Sequence, residues 1–196
     1  MKLLAIFGIA ALALSACVTP NRQDNPEAQS TTAQGYKTYD QGTVVDEAEK
    51  FFGGASAELA NVLDHVLTDN GNPQAYIAGE EAAGAIGVGL RYGKGYLYRP
   101  GQKPVRVYWT GPSLGFDAGG NASKVFTLVY DLGATENIYK RYPGVDGSLY
   151  YVGGVGVNYQ RQGSTVLAPI RTGVGFRAGV NIGYLRYSRE YTAVPF

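Results

Sequence analysis

The chain holds a single cysteine, Cys17, and a single histidine, His65. Cys17 closes the stretch Leu14-Ser15-Ala16-Cys17. That is the pattern of a lipobox: small residues let a peptidase hold an extended backbone, and the sulfur takes a lipid before the cut. Upstream, Lys2 precedes an uncharged run from Leu3 to Leu14 broken only by Gly8. The run falls short of the roughly 18 to 20 apolar residues that a spanning helix needs. Residues 1–16 therefore read as a lipoprotein signal peptide. Lipidation at Cys17 would fix the chain to a membrane. One acyl chain binds only marginally, at about 0.8 kcal/mol per buried CH₂, whereas the three chains of a mature bacterial lipoprotein hold permanently. Val18 occupies the position where Asp signals retention at the inner membrane. The expected location is the periplasm, anchored to the outer membrane.

The other reactive types are placed without partners for catalysis. His65 lies between Asp64 and Val66 with no metal-spaced neighbour, so a structural role is expected. No nucleophile motif accompanies it to form a Ser-His-Asp set. Glu80 and Glu81 are adjacent, so on a strand they diverge and cannot work together as acid and base. Gly173 to Ala178 matches a relaxed dinucleotide fingerprint, but the sequence after it continues as strand, and the motif needs a helix there. No enzymatic activity, cofactor or metal is expected. With Cys17 lipidated, no cysteine is left for a disulfide. Loss of residues 1–16 removes Lys2 and no acid, which takes the formal charge from +1 to zero. Nucleic acid, which needs a basic surface, is excluded as a partner.

A glycine-rich pattern offers a different chemistry, that of binding. It recurs as Gly87-Val-Gly-Leu-Arg-Tyr92, Gly154-Val-Gly-Val-Asn-Tyr159 and Gly173-Val-Gly-Phe-Arg-Ala178. In strands, alternate side chains face opposite ways. Each copy thus has an apolar face and a glycine face, the latter ending in Arg91, Asn158 or Arg177. Glycine in a strand serves either sharp coiling of a small barrel or close approach of another backbone or ligand. On the second reading Arg91 and Arg177 would attract lipid phosphates or peptidoglycan carboxylates, with Trp109 for stacking and Asn158 beside them. On the plainer one the arginines pair with Asp117 or Glu80 at the surface, for under about 1 kcal/mol each. Tyr96 with Tyr98, Tyr108 with Trp109 and Tyr150 with Tyr151 suit either sugar stacking or the rim of a barrel. The expected partners are the membrane, through the anchor, and a lipid, peptidoglycan or an envelope protein.

The elements that position these residues follow from composition and period. With 28 Gly and 16 Tyr but no collagen repeat, the chain reads as mainly β, a barrel or sandwich. Residues 17–42 have no hydrophobic period and read as a disordered tether. Residues 43–72 form a helical segment, with Thr43 and Asp46 as a capping box, a break at Gly53-Gly54, and a second helix from Ser56. Its apolar stripe is Leu59, Val62, Leu63, Val66 and Leu67. Residues 73–196 change to period two, with strands at Ala75–Ala78, Ala85–Tyr92, Gly95–Arg99, Val105–Thr110, Leu114–Ala118, Lys124–Leu132, Leu149–Gln160, Val166–Pro169 and Val174–Tyr187. The two longest, from Leu149 and Val174, are expected to bend or split. A small outer-membrane barrel ending in Phe196 is the alternative, but Pro195 would interrupt its closing strand.

The segments Ala75-Tyr-Ile-Ala-Gly-Glu-Glu-Ala-Ala-Gly84, Val107-Tyr-Trp-Thr-Gly-Pro-Ser-Leu-Gly-Phe-Asp117, Asn121-Ala-Ser-Lys-Val-Phe-Thr-Leu-Val-Tyr130, Arg141-Tyr-Pro-Gly-Val-Asp-Gly147 and Leu167-Ala-Pro-Ile-Arg-Thr-Gly-Val-Gly175 resemble the envelope integrity protein A (EipA) family. The resemblance runs from about residue 50 to residue 187. It implies a periplasmic protein with a small, SH3-like β-barrel that supports cell-envelope integrity without a nameable enzymatic activity. Members carry an ordinary export signal, so the lipobox is a departure. A fainter similarity, to the SYLF lipid-binding domain, rests on Gly93-Lys-Gly95, Trp109 to Pro112 and Gly154-Val-Gly156. It implies lipid contact.

Overall fold

A computed structural model of the chain describes residues 30–31, 35–117, 123–172 and 183–192. The elements run β1 (Ser30–Thr31), β2 (Lys37–Thr38), α1 (Gln41–Phe52), α2 (Ala57–Asn70), β3 (Ala75–Tyr98), β4 (Val105–Asp117), β5 (Ser123–Tyr130), β6 (Arg141–Val152), β7 (Val155–Gln162), β8 (Thr165–Thr172) and β9 (Tyr184–Ser188). Strands β3 to β9 close into an antiparallel barrel in the order β3-β4-β9-β6-β7-β8-β5. The small, mainly β barrel behind a helical segment is the expected class.

Order begins earlier than the sequence indicated. β1 pairs with β2 inside the stretch read as tether, and Thr38 is buried. The cap of α1 is Asp40, not Thr43: its carboxylate accepts from the Thr43 backbone N–H at 2.9 Å and from the Thr43 hydroxyl at 2.6 Å. A carboxylate at the N-cap satisfies a free amide and also meets the helix dipole, so it outcompetes the hydroxyl three residues on. Ser56 does cap α2, accepting from Leu59 N–H at 3.1 Å. All five stripe residues of α2 are buried.

The helices lie on the outside of the barrel. β5 explains how: Val125 and Val129 point into the barrel, while Phe126, Leu128 and Tyr130 point out beneath the helices. A strand buried on both faces reads as a continuous apolar run rather than an alternation. β7 and β8 share this layer through Val155, Val157, Val166, Ala168 and Ile170. The barrel interior is a second core built on Ile77, Leu97, Trp109, Tyr142, Leu167, Leu185 and Tyr187. At about 1.5 to 3 kcal/mol for each large side chain fully buried, these two layers hold the domain without any disulfide.

The three separate strands expected between Ala75 and Arg99 are one continuous strand. β3 pairs with β5 through Ala75 to Glu81 and with β4 through Ala85 to Leu97. Glycines let it coil instead of breaking. A Cβ on Gly79 would lie 2.3 Å from the Lys94 carbonyl oxygen, and one on Gly95 would lie 2.5 Å from that of Ala78. The two arms of β3 therefore touch backbone to backbone. The segment Leu149–Gln160 does split, at a Gly153-Gly154 turn with φ of +52° and +96°. Residues 143–148, which fall between the expected strands, belong to β6, which contains an irregularity between Gly144 and Leu149. There Ser148 Oγ donates to the Val145 carbonyl and accepts from Tyr159 N–H.

Candidate functional site

Strand alternation sends Glu80 outward and Glu81 inward, where its side chain is only 3 % exposed. Arg171 of β8 reaches it with Nε 2.6 Å from Oε1 and Nη2 3.3 Å from Oε2. Arg91, on the returning arm of β3, donates to the same Oε1. Trp109 of β4 donates Nε1–H to Oε2 at 3.1 Å. Three strands thus meet on one carboxylate at the heart of the barrel. Gly93 makes room for it: a Cβ there would lie 2.0 Å from Trp109 Cε2.

Burial alone would raise the Glu81 pKa. The charges of Arg171 and Arg91, with hydrogen bonds from Arg171 and Trp109, outweigh that and hold it at about 2. Next to the cluster, Tyr187 packs on Trp109 with ring centroids 5.9 Å apart, and burial pushes its hydroxyl pKa up. An ionised carboxylate whose two oxygens each accept charged or indole N–H donors is neither a free base nor a nucleophile. It is an internal tie, since removing one partner of such a buried pair leaves an uncompensated charge.

The residues singled out from the sequence divide accordingly. Arg91 and Trp109 converge, but on Glu81 rather than on a surface ligand, and both are buried. The expected surface pairing of Arg91 with Asp117 or Glu80 is replaced by this internal one. Asp117 is placed by its backbone opposite Ala85. Asn158 faces the interior with Gln160, since Val155, Val157 and Tyr159 on the alternate face pack beneath the helices. Arg177 and Cys17 lie outside the described residues, as does the third copy of the glycine motif. Of the first two copies, Gly89 with Arg91 and Gly156 with Asn158 fall on the inward face of their strands, which favours coiling over docking.

Glu81 and Arg171 escaped sequence reasoning. Glu81 was set aside because its neighbour Glu80 made catalysis unworkable, yet alternation alone separates the two. Arg171 ends the otherwise apolar run Val166-Leu-Ala-Pro-Ile170, and an arginine on a strand buried on both faces is itself a signal of an internal carboxylate.

The aromatic pairs also part company. Tyr98 stacks on Tyr76 at 4.9 Å, and Tyr150 stacks on His65 at 4.0 Å. His65 also pairs with Asp69 at 3.5 Å, which fits its structural reading. Tyr96 and Tyr108 remain outside. Among the described residues, no cluster of His, Cys, Asp and Glu could hold a metal, and no helix is long and apolar enough to cross a membrane. The described residues form recesses, of which two bear on the site. One, of about 450 Å³, is lined by Tyr36, Gln74, Asp131, Asn137, Lys140 and Gln162 among others. The other, of about 250 Å³, lies between Lys94, Tyr92, Tyr108 and Tyr191 and reaches Glu81.

Residues 37–196 match the family model described as Envelope integrity protein A. Among solved structures, the chain is similar to a beta-barrel-like, uncharacterized protein from Brucella abortus, with 46% identity and a TM-score of 0.74. The similarity covers 81% of this chain and 99% of that one. The crystallised chain is thus almost wholly the domain shared with this one. No curated protein matches the chain.

Proposed function

The chain belongs to the Envelope integrity protein A family, and we propose that it serves the envelope as a lipid-anchored, periplasmic, non-catalytic binding protein. The observation that carries the non-catalytic part is the Glu81 cluster. Among the described residues, the fully buried carboxylate of Glu81, with its lowered pKa, is already bound to Arg91, Arg171 and Trp109, so its charge is spent on the fold. His65 is likewise engaged, with Tyr150 and Asp69. What stays accessible is surface, and surface binds.

The anchor rests on the lipobox ending at Cys17 and on the signal-like residues before it. On this reading Val18, where Asp would signal retention at the inner membrane, favours the outer membrane. The reading of the domain itself as a spanning barrel is disfavoured by its outer wall, where Lys94, Arg106, Arg141 and Arg186 sit at outward strand positions. A lipid-facing Lys or Arg near the bilayer midplane costs about 2 to 4 kcal/mol.

Metabolic labelling with a fatty-acid analogue tests the anchor. The wild-type chain takes the label and Cys17→Ser does not. Label on both, or on neither, overturns lipidation. A strain lacking the protein should lose detergent resistance and regain it only with the anchored form; full rescue by Cys17→Ser would remove the anchor from the function.

A further inference from the structure

The barrel has two unlike outer walls. Among the described residues, the helices cover β5, β7, β8 and the Tyr150–Val152 end of β6, whereas no helix lies over the wall formed by the facing parts of β3, β4, β9 and the Arg141 end of β6. Because Leu97, Val107, Trp109, Tyr142, Leu185 and Tyr187 point inward, the residues between them point outward. Those are Lys94 and Tyr96 on β3, Arg106 and Tyr108 on β4, Tyr184 and Arg186 on β9, and Arg141 on β6. Four cations and three tyrosines share this wall, and no acid occupies an outward position of these segments. The bordering acids are Glu80, Glu190 and Glu136, the last already paired with Arg189.

The geometry goes beyond composition. Arg106 lies over both Tyr96 and Tyr108, with 5.3 Å to each ring centroid, and donates to both hydroxyls at 2.9 and 3.0 Å. Arg141 lies 4.4 Å from the Tyr184 ring centroid. Arg141 and Arg186 stand directly opposite each other on adjacent strands.

We propose that this arginine–tyrosine wall docks on an anionic phospholipid surface. The charge is complementary to phosphodiester headgroups, and tyrosine with its apolar ring and polar tip suits the membrane–water boundary. The recess between Lys94, Tyr92, Tyr108 and Tyr191 opens at one side of the same wall. This deepens the binding role proposed above by naming the partner. It does not require the anchor.

The test uses residues 18–196, which contain every described element and no lipid. They are sedimented with vesicles of phosphatidylcholine alone or of equal parts phosphatidylcholine and phosphatidylglycerol. Binding to the anionic vesicles only is expected, and it should weaken with added salt. At about fivefold per basic residue removed, the triple variant Lys94→Gln, Arg106→Gln, Arg141→Gln should bind roughly a hundredfold less. The variant Lys50→Gln, Arg161→Gln, on the helix side, should lose nothing, and Trp109 fluorescence confirms that each variant is folded. Equal binding to both vesicles, binding to neither, or a folded triple variant that binds as wild type overturns the proposal. Sedimentation with purified peptidoglycan in place of vesicles, with the same arginine dependence, overturns it too. Because no variant here touches Cys17, failure of the wall and failure of the anchor are read separately.

Discussion

Arg171 Nε lies 2.6 Å from Glu81 Oε1, joining residues 90 positions apart in the chain across the interior of the barrel. β8 is thereby tied to β3 from the inside, in addition to the strand order around the wall. Arg91 closes the same tie from the second arm of β3, so the coil of that strand and the closure of the barrel depend on one carboxylate.

Replacing Glu81 with Gln keeps the size and removes the charge. Two buried guanidiniums then face an amide that cannot neutralise either. Breaking a buried pair from one side costs about 3 to 5 kcal/mol, a large share of the roughly 5 to 15 kcal/mol that holds a domain of ordinary stability. Urea unfolding of Glu81→Gln should show a loss of that size. A loss of no more than about 1 kcal/mol, the worth of a surface pair, would mean that the carboxylate is solvated.

The same carboxylate sets a response to acid. Its folded pKa is about 2, below its ordinary value of 4.5. A depressed pKa contributes stability that is fully present above the unfolded value and is lost as pH falls through the folded one. The unfolding midpoint of the wild type should therefore drop between pH 4.5 and about 2. In Glu81→Gln that part of the drop should vanish, although other carboxylates such as Asp40, whose pKa is also lowered, continue to titrate. Identical acid profiles for the two proteins would contradict the assignment.

Gly93 answers a question that the glycine pattern raised. Its missing Cβ is the space taken by the Trp109 ring, and the ring cannot retreat without leaving Glu81. Gly93→Ala should cost at least the 1 to 3 kcal/mol typical of overpacking, about as much as a mid-sized cavity mutant. Trp109 is the only tryptophan, and it is buried, so its emission reports the event directly. A red-shifted spectrum with a lower urea midpoint is expected, and an unshifted spectrum at full stability would remove the steric account.

Much of this fold was legible in the sequence. The stripe from Leu59 to Leu67 fixed α2 and its buried side because a 3.6-residue period has few other readings. Strand locations followed from period two, but not their continuity. Whether Gly79, Gly93 and Gly95 end a strand or bend it depends on what lies across the barrel, and local sequence does not hold that information. The site was legible only in half. Arg91 and Trp109 stood out as a cation and a ring, but their partner is fixed by a contact of 28 residues for Trp109 and by one of 90 for Arg171. Burial turned a pair read as ligand contacts into part of the core. The open wall shared by Tyr96, Arg106, Arg141 and Tyr184 escaped notice for a similar reason. Its members come from four strands that only the barrel brings side by side.

Gln160 offers the last prediction. It is fully buried on the inward face of β7, and neither Oε1 nor Nε2 has a hydrogen-bond partner among the described residues; Asn158 Oδ1, one step along the same face, is also unpartnered. A buried amide left unmade costs about 1 to 3 kcal/mol, whereas an apolar group of the same shape carries no such penalty. Gln160→Met preserves length and flexibility and removes both polar atoms. It should leave the domain as stable as wild type or more so, with the urea midpoint unchanged or raised and the slope of the transition unaltered. Gln160→Ala, which opens a cavity while removing the same atoms, should be less stable than Gln160→Met by about the cost of deleting buried methylenes, on the order of 2 kcal/mol or more. A clear fall in the midpoint for Gln160→Met would mean that the amide is bonded inside the barrel, and that the polar column of β7 is a working part of the interior rather than a tolerated defect.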